Sequence, residues 1–227
     1  MIPQVPRSEV LRYLGMHGAQ PSDGMEQQIE QARAKMRELA QVKFVYKRFA
    51  LERTEKGICV QGTTLILTGR DIGEHLKGCS HCVLMAATLG MAVQRQIAAV
   101  QHRSMAQALY LDACATAAVE EACDFCEQEL RRQYPEERFT SRFSPGYGDL
   151  PLSLQNDFLN ALDARRRIGL FLTSSGLLTP CKSVTAVLGV GEQAAEKERS
   201  CEVCSLRETC TYRKRGTNCG HPASNQA

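Results

Sequence analysis

Apolar residues recur along the chain at two periods, and the switches between them outline its elements. Ile29, Ala32, Met36 and Leu39 share one face of a predicted helix over 25–42, entered through the turn Pro21-Ser22-Asp23-Gly24. A shorter helix over 8–14 is capped by Ser8. Val42, Phe44 and Tyr46 then alternate with Lys43, Val45 and Lys47, the period of a strand. Residues 58–61 and 63–67 predict a strand pair, or one kinked strand, about Gly62, and 71–77 a short helix closed by Gly78. A buried strand over 82–88 and a helix over 91–100 follow.

The longest periodic run opens at Ser104, which forms a capping box with Gln107. Met105, Leu109, Asp112, Thr116, Val119, Cys123, Cys126 and Leu130 recur at steps of four and three, predicting a helix to about Arg132 with this row as its apolar face. A second row, Ala113, Ala117 and Glu121, offers small side chains that end in a carboxylate. Residues 139–143 read as extended, 144–149 as a turn-rich loop, 153–162 as a helix, and 168–172 and 183–190 as strands. The last strand is apolar on both faces, which predicts a place in the middle of a covered sheet. Strands and helices mix without a βαβ rhythm, so the expected fold is α+β, a mixed, largely antiparallel sheet with packed helices. Beyond Gly191 the chain turns to charge and cysteine, which divides it into a domain over 1–191 and a cysteine-rich tail over 192–227.

Composition narrows the function classes. With 43% hydrophobic residues in 227, the chain can bury a core, and a net charge of +3 gives no basic field for nucleic acid. The opening lacks the charged-then-apolar order of a signal peptide, and the longest uncharged apolar run, Cys82 to Val93, is too short to span a bilayer. A soluble, cytoplasmic protein with no membrane partner is expected. There are eleven cysteines. Without an export signal they read as reduced thiols or metal ligands.

Four of them stand as Cys201-x2-Cys204-x5-Cys210-x8-Cys219, a set able to hold zinc or an iron–sulfur cluster, with Arg207, Arg213, Lys214 and Arg215 to offset thiolate charge. Cys123 and Cys126 lie on the apolar row and read as core thiols. Cys79-Ser80-His81-Cys82 has ligand spacing but runs into a buried strand, and is read as structural.

The segment Arg142-Phe143-Ser144-Pro145-Gly146-Tyr147-Gly148-Asp149 holds the most chemistry. An arginine leaves a strand, and a Pro-Gly turn returns a tyrosine beside it. Arg offers a donor fork for a carboxylate, Gly a close backbone approach, and Tyr a π face and a hydroxyl. A zwitterionic amino acid carrying a sulfonium would use all three. On spacing alone, a surface turn with an exposed arginine is the better fit.

This segment, continued through Leu150-Pro151-Leu152, together with Leu178-Thr179-Pro180-Cys181-Lys182-Ser183-Val184-Thr185-Ala186-Val187-Leu188-Gly189-Val190, resembles the activation domain of cobalamin-dependent methionine synthase in its shorter, stand-alone form. So do Arg7 to Gly15, Arg70 to Leu76 and Ala87 to Gly90; the resemblance spans roughly Pro6 to Gly191. It implies S-adenosylmethionine binding, with Arg142, Ser144, Gly146 and Tyr147 at the ligand and a glutamate from the preceding long helix, Glu121 or its neighbour Glu120. An aspartate of the family's site has no counterpart in the matching segment, and Asp71 sits elsewhere; a late tyrosine is replaced by the tail.

Asp71-x3-His75 departs from the spacing of cobalamin-binding domains, so any cobalamin is carried by a partner, a methionine synthase or another corrinoid protein. The implied task is reductive remethylation of that partner's cobalamin in trans, accessory to a methyltransferase rather than a complete enzyme. The electron would come from a donor such as flavodoxin or ferredoxin, with the tail as a relay if it holds iron and sulfur. The alternative is a non-catalytic S-adenosylmethionine or corrinoid-protein docking module with a structural zinc tail.

Overall fold

The computed structural model describes residues 4–16, 20–192, 194 and 208. In chain order the elements are α1 (Arg7–Tyr13), α2 (Asp23–Leu39), β1 (Lys43–Thr54), β2 (Gly57–Val60), β3 (Ile66–Leu67), α3 (Arg70–His75), β4 (His81–Thr88), α4 (Met91–Gln101) and α5 (Met105–Gln133). After these come α6 (Gln155–Leu162), α7 (Ala164–Ile168), β5 (Phe171–Leu172), β6 (Leu178–Thr179) and β7 (Ser183–Val190).

Five strands form one sheet in the order β3-β2-β1-β4-β7, and every pairing is antiparallel. The α+β expectation therefore stands, but the described sheet is antiparallel rather than mixed. β5 and β6 make a separate two-stranded ribbon. Of the strand expected over 168–172, Ile168 instead ends α7 and only Phe171–Leu172 is extended. The run Arg165-Arg166-Arg167 is favourable in a helix, and Gly169, at φ 72°, ends it.

The period-2 pattern of the strands sorts their side chains onto two faces. Leu84, Ala86 and Val187 meet Phe158 and Leu162 of α6 and Ile168 of α7. Val83, Met85, Leu188 and Val190 meet Cys123, Cys126 and Leu130 of α5. A third cluster joins Val10 of α1, Ile29 and Met36 of α2 and Val93 of α4 to the first half of α5. That half is walled by helices rather than by the sheet. Its buried residues are Ala108, Tyr110, Leu111, Ala113, Cys114, Ala115, Ala117 and Ala118, whereas Met105 and Leu109 are 66% and 55% exposed. The predicted apolar row thus holds from Val119 onward and fails before it, because α5 changes packing partner midway.

β7 is not central, contrary to the sequence expectation. It is the last strand of the five, and its outer edge is covered by residues 139–143, through bridges Phe139↔Val190 and Phe143↔Val187. Four residue steps on one side oppose three on the other, which defines a bulge. Phe139 therefore packs on the α5 side and Phe143 against the opposite core. At the bulge the Gly189 N–H donates to Thr140 Oγ1 at 2.8 Å, a side chain standing in for a ladder carbonyl.

No helix among the described residues is long and apolar enough to cross a membrane. The tail cysteines Cys201, Cys204, Cys210 and Cys219 lie outside the described residues.

Candidate functional site

The bulge sends Arg142 toward α5, where its side chain is only 7% exposed. Arg142 Nη2 donates to Glu120 Oε2 at 3.1 Å, and Nη1 lies 2.7 Å from both Asp124 and Glu127. These carboxylates follow one another along α5 at i, i+4 and i+7, so they share a face. Burial works against the guanidinium charge, but Cys123, Glu127 and Asp124 outweigh it and raise the Arg142 pKa. Three carboxylates around one arginine leave the rim net negative. Glu120 and Asp124, 41% and 55% exposed, form its open side, and Glu127, 14% exposed, its floor.

Glu121 sits beside this row. Burial, then Asp124 and Glu9 of α1, raise its pKa above the ordinary carboxyl value. Of the two candidate glutamates, Glu120 is the one paired with Arg142, and Glu121 is a partly buried acid between the charges of Asp124 and Glu9.

Ser144, Gly146 and Tyr147 lie in one tight turn. The Tyr147 N–H donates to Ser144 O at 3.0 Å, the Gly146 N–H to Leu150 O at 2.9 Å and the Leu150 N–H to Tyr147 O at 3.0 Å. Tyr147 is 69% exposed, and its ring meets the edge of Phe143 at 6.5 Å. Arg142 thus reaches the acidic rim on α5, whereas the Tyr147 ring stands in solvent beside Phe143.

The turn is seated on α3. Asp149 accepts hydrogen bonds from the Arg70 and Asp71 N–H groups at 2.6 and 3.0 Å, closing the helix's free N-terminal amides. Contact is too close for a side chain on either partner. A Cβ on Gly69 would overlap the Asp149 carboxylate, and one on Gly148 that of Asp71. Asp71, remote in sequence, is thereby brought against the turn. Asp149, Asp124 and Glu127 were not read as site residues, and Glu120 only as the alternative to Glu121. The i, i+4, i+7 spacing was a readable signal for the row; nothing in the sequence pairs Asp149 with α3.

On the far side of Arg142, Cys123 and Cys126 are fully buried, as expected of core thiols, and burial pushes Cys126 up to about 12. Cys82 is likewise buried and pushed up to about 12, and His81 Nδ1 is engaged by Ser80 Oγ at 2.9 Å. Among the described residues, no group of three or more His, Cys, Asp and Glu side chains is arranged to hold a metal ion. At the start of β7, Lys182 Nζ reaches Asp112 at 2.8 Å and Thr116 at 2.9 Å on α5, which accounts for the lysine of the downstream strand as a tie between strand and helix.

No protein-family model matches the chain, and no curated protein matches it either. Among solved structures, it is similar to the MetH reactivation domain bound to AdoHcy, at 13% identity and a TM-score of 0.60, over 89% of this chain and 76% of that one. The chain has the fold of the MetH reactivation domain.

Proposed function

We propose that this protein binds S-adenosylmethionine at the Arg142–Tyr147 turn and supports reductive remethylation of the cobalamin of a methionine synthase or another corrinoid protein in trans. The observation that carries the reading is the fold shared with a domain solved with AdoHcy, together with the Arg142-to-Tyr147 turn seated beside an acidic rim. The rim suits a cationic ligand, and S-adenosylmethionine carries both an ammonium and a sulfonium. Glu121 and the backbone at Ser144 and Gly146 would hold its amino-acid end, and Tyr147 would face the sulfonium. Arg142 would take the ligand carboxylate in exchange for Glu120, one of the two half-exposed carboxylates of its present set.

Chemically, one electron reduces the partner's cob(II)alamin, and the sulfonium methyl then traps the reduced cobalt, leaving S-adenosylhomocysteine. The domain contributes position rather than an acid or base. Two measurements test this. S-adenosylmethionine at about a hundred times its Kd should stabilise the protein by roughly 2.7 kcal/mol, a rise of roughly 5–11 °C in Tm. Mixed with a methionine synthase lacking its own reactivation domain, a reductant and S-adenosylmethionine, the protein should restore methylcobalamin. No thermal shift, or equal recovery without the protein, overturns the proposal.

The four tail cysteines are proposed to bind one metal centre, iron–sulfur in preference to zinc because the task needs an electron. Elemental analysis and visible spectra of anaerobically purified wild type and Cys201→Ser/Cys204→Ser test this. Zinc without iron refutes the redox version, and no metal in either protein refutes the centre.

A further inference from the structure

α3 touches the 140–149 segment at both of its ends. At its start, Asp149 takes the Arg70 and Asp71 amides. At its other end stands His75, 6% exposed, with Nε2 2.9 Å from Ser141 O and 2.8 Å from Thr140 Oγ1. The roles in this group follow from proton count. Thr140 Oγ1 donates its one proton to Ser141 O at 3.0 Å and accepts from Gly189 N–H. A carbonyl only accepts. Nε2 must therefore carry the imidazole proton and donate it to the bulge.

The helix itself is fixed. Ile72 and Leu76 are fully buried in the core, and Arg53 Nη2 donates to Leu76 O at 2.6 Å. The bulge meets the sheet through backbone pairing at Phe139, Thr140 and Phe143, and the turn is anchored at its end by the buried Leu150, while Tyr147 stands in solvent. His75 also reaches the turn by ring contact: its imidazole lies 4.9 Å from the Phe143 ring, which in turn meets Tyr147.

We propose that α3 is a clamp on the ligand-bearing segment, with His75 and Asp149 as its two positioning residues. Neither touches the ligand. His75 holds the bulge that aims Arg142 and supports the ring under Tyr147; Asp149 holds the end of the turn. The part of this that concerns the ligand rests on the proposed S-adenosylmethionine site, whereas the clamp itself is testable without any ligand.

The test is site-resolved amide hydrogen exchange on the full chain. His75→Leu should speed exchange at Gly146, Tyr147 and Leu150 by roughly tenfold, while the amides of β4 keep their wild-type rates. His75→Gln, which restores an N–H donor, should bring those rates most of the way back, which a merely space-filling role would not do. Asp149→Ala, an exposed change that leaves the core intact, should speed the same three amides from the other end. Loop rates within about twofold of wild type in both His75→Leu and Asp149→Ala, or loop and β4 rates rising together, would overturn the clamp. Calorimetry with S-adenosylmethionine then separates the two claims. Affinity should fall in His75→Leu and recover in His75→Gln; unchanged affinity with a loosened loop refutes the positioning role. A wild type that binds no S-adenosylmethionine while the loop loosens as stated refutes the ligand reading and leaves the clamp standing.

Discussion

Replacing Arg142 with alanine strips the acidic row of its counter-charge. The guanidinium is 7% exposed and faces Glu120, Asp124 and Glu127. Its removal leaves three like charges along two turns of α5. Removing one partner of a fully buried pair costs about 3–5 kcal/mol, because the other charge stays buried and unpaired. Here Glu120 and Asp124 are 41% and 55% exposed, so water compensates most of their share. Glu127, at 14%, has little access to water and carries the main penalty. The expected loss is roughly 2–3 kcal/mol, or roughly 4–12 °C in Tm for a chain of this size. Calorimetric melts of wild type, Arg142→Ala and Arg142→Ala/Glu127→Gln at about pH 7 and about pH 4.5 read the effect. The second change should return part of the loss by removing the buried orphan charge. Acid should narrow the gap, because a row carrying less negative charge needs less counter-charge. A variant melting within about 1 °C of wild type, or a gap that widens in acid, refutes the claim that Arg142 neutralises the row.

Gly69→Ala should cost about 1–3 kcal/mol in urea unfolding, because φ is 132° and the new Cβ would meet the Asp149 carboxylate; an unchanged midpoint would remove the tight seat between the turn and α3. Glu121 has a raised pKa, so the stability it contributes is complete below its unfolded value and lost as pH rises through the folded one. Glu121→Gln should therefore match wild type in acid and melt higher at neutral pH, and a variant less stable at neutral pH contradicts the sign. In calorimetry with S-adenosylmethionine, Glu121→Gln should weaken binding and Glu120→Gln should not, since Glu120 is engaged by Arg142; the opposite order moves the ligand contact to Glu120.

What the sequence shows depends on whether a pattern is local. The Ser104 cap, the strand alternation and the buried run of 82–88 rest on neighbouring residues, and each appears as an element. The α5 row fails at Met105 and Leu109 because partner choice is tertiary: helices α1, α2 and α4 cover a different face of the first half. The two-faced apolar pattern of Ser183–Val190 reported burial correctly but not position, since a strand edge covered by 139–143 is as dry as a central one. At the site, the turn from Ser144 to Tyr147 was legible because glycine and proline dictate it. The pairing of Arg142 with Glu120, of Asp149 with the start of α3 and of His75 with Ser141 joins residues far apart in sequence, and no spacing rule encodes it.

The four-against-three bulge also constrains how this chain can change over evolutionary time. Deleting one residue between Phe139 and Phe143 would restore a regular pairing with β7. Phe143, then three steps from Phe139 and still opposite Val187, would keep its face, but the extra residue that brings Thr140 Oγ1 to the Gly189 N–H and the Ser141 carbonyl to His75 would be gone. Substitution at these positions can be gradual, but a change in length cannot. Relatives of this protein should therefore vary freely in length in the 173–177 ribbon turn, which is largely solvent-facing, while keeping a fixed count from Phe139 to Asp149.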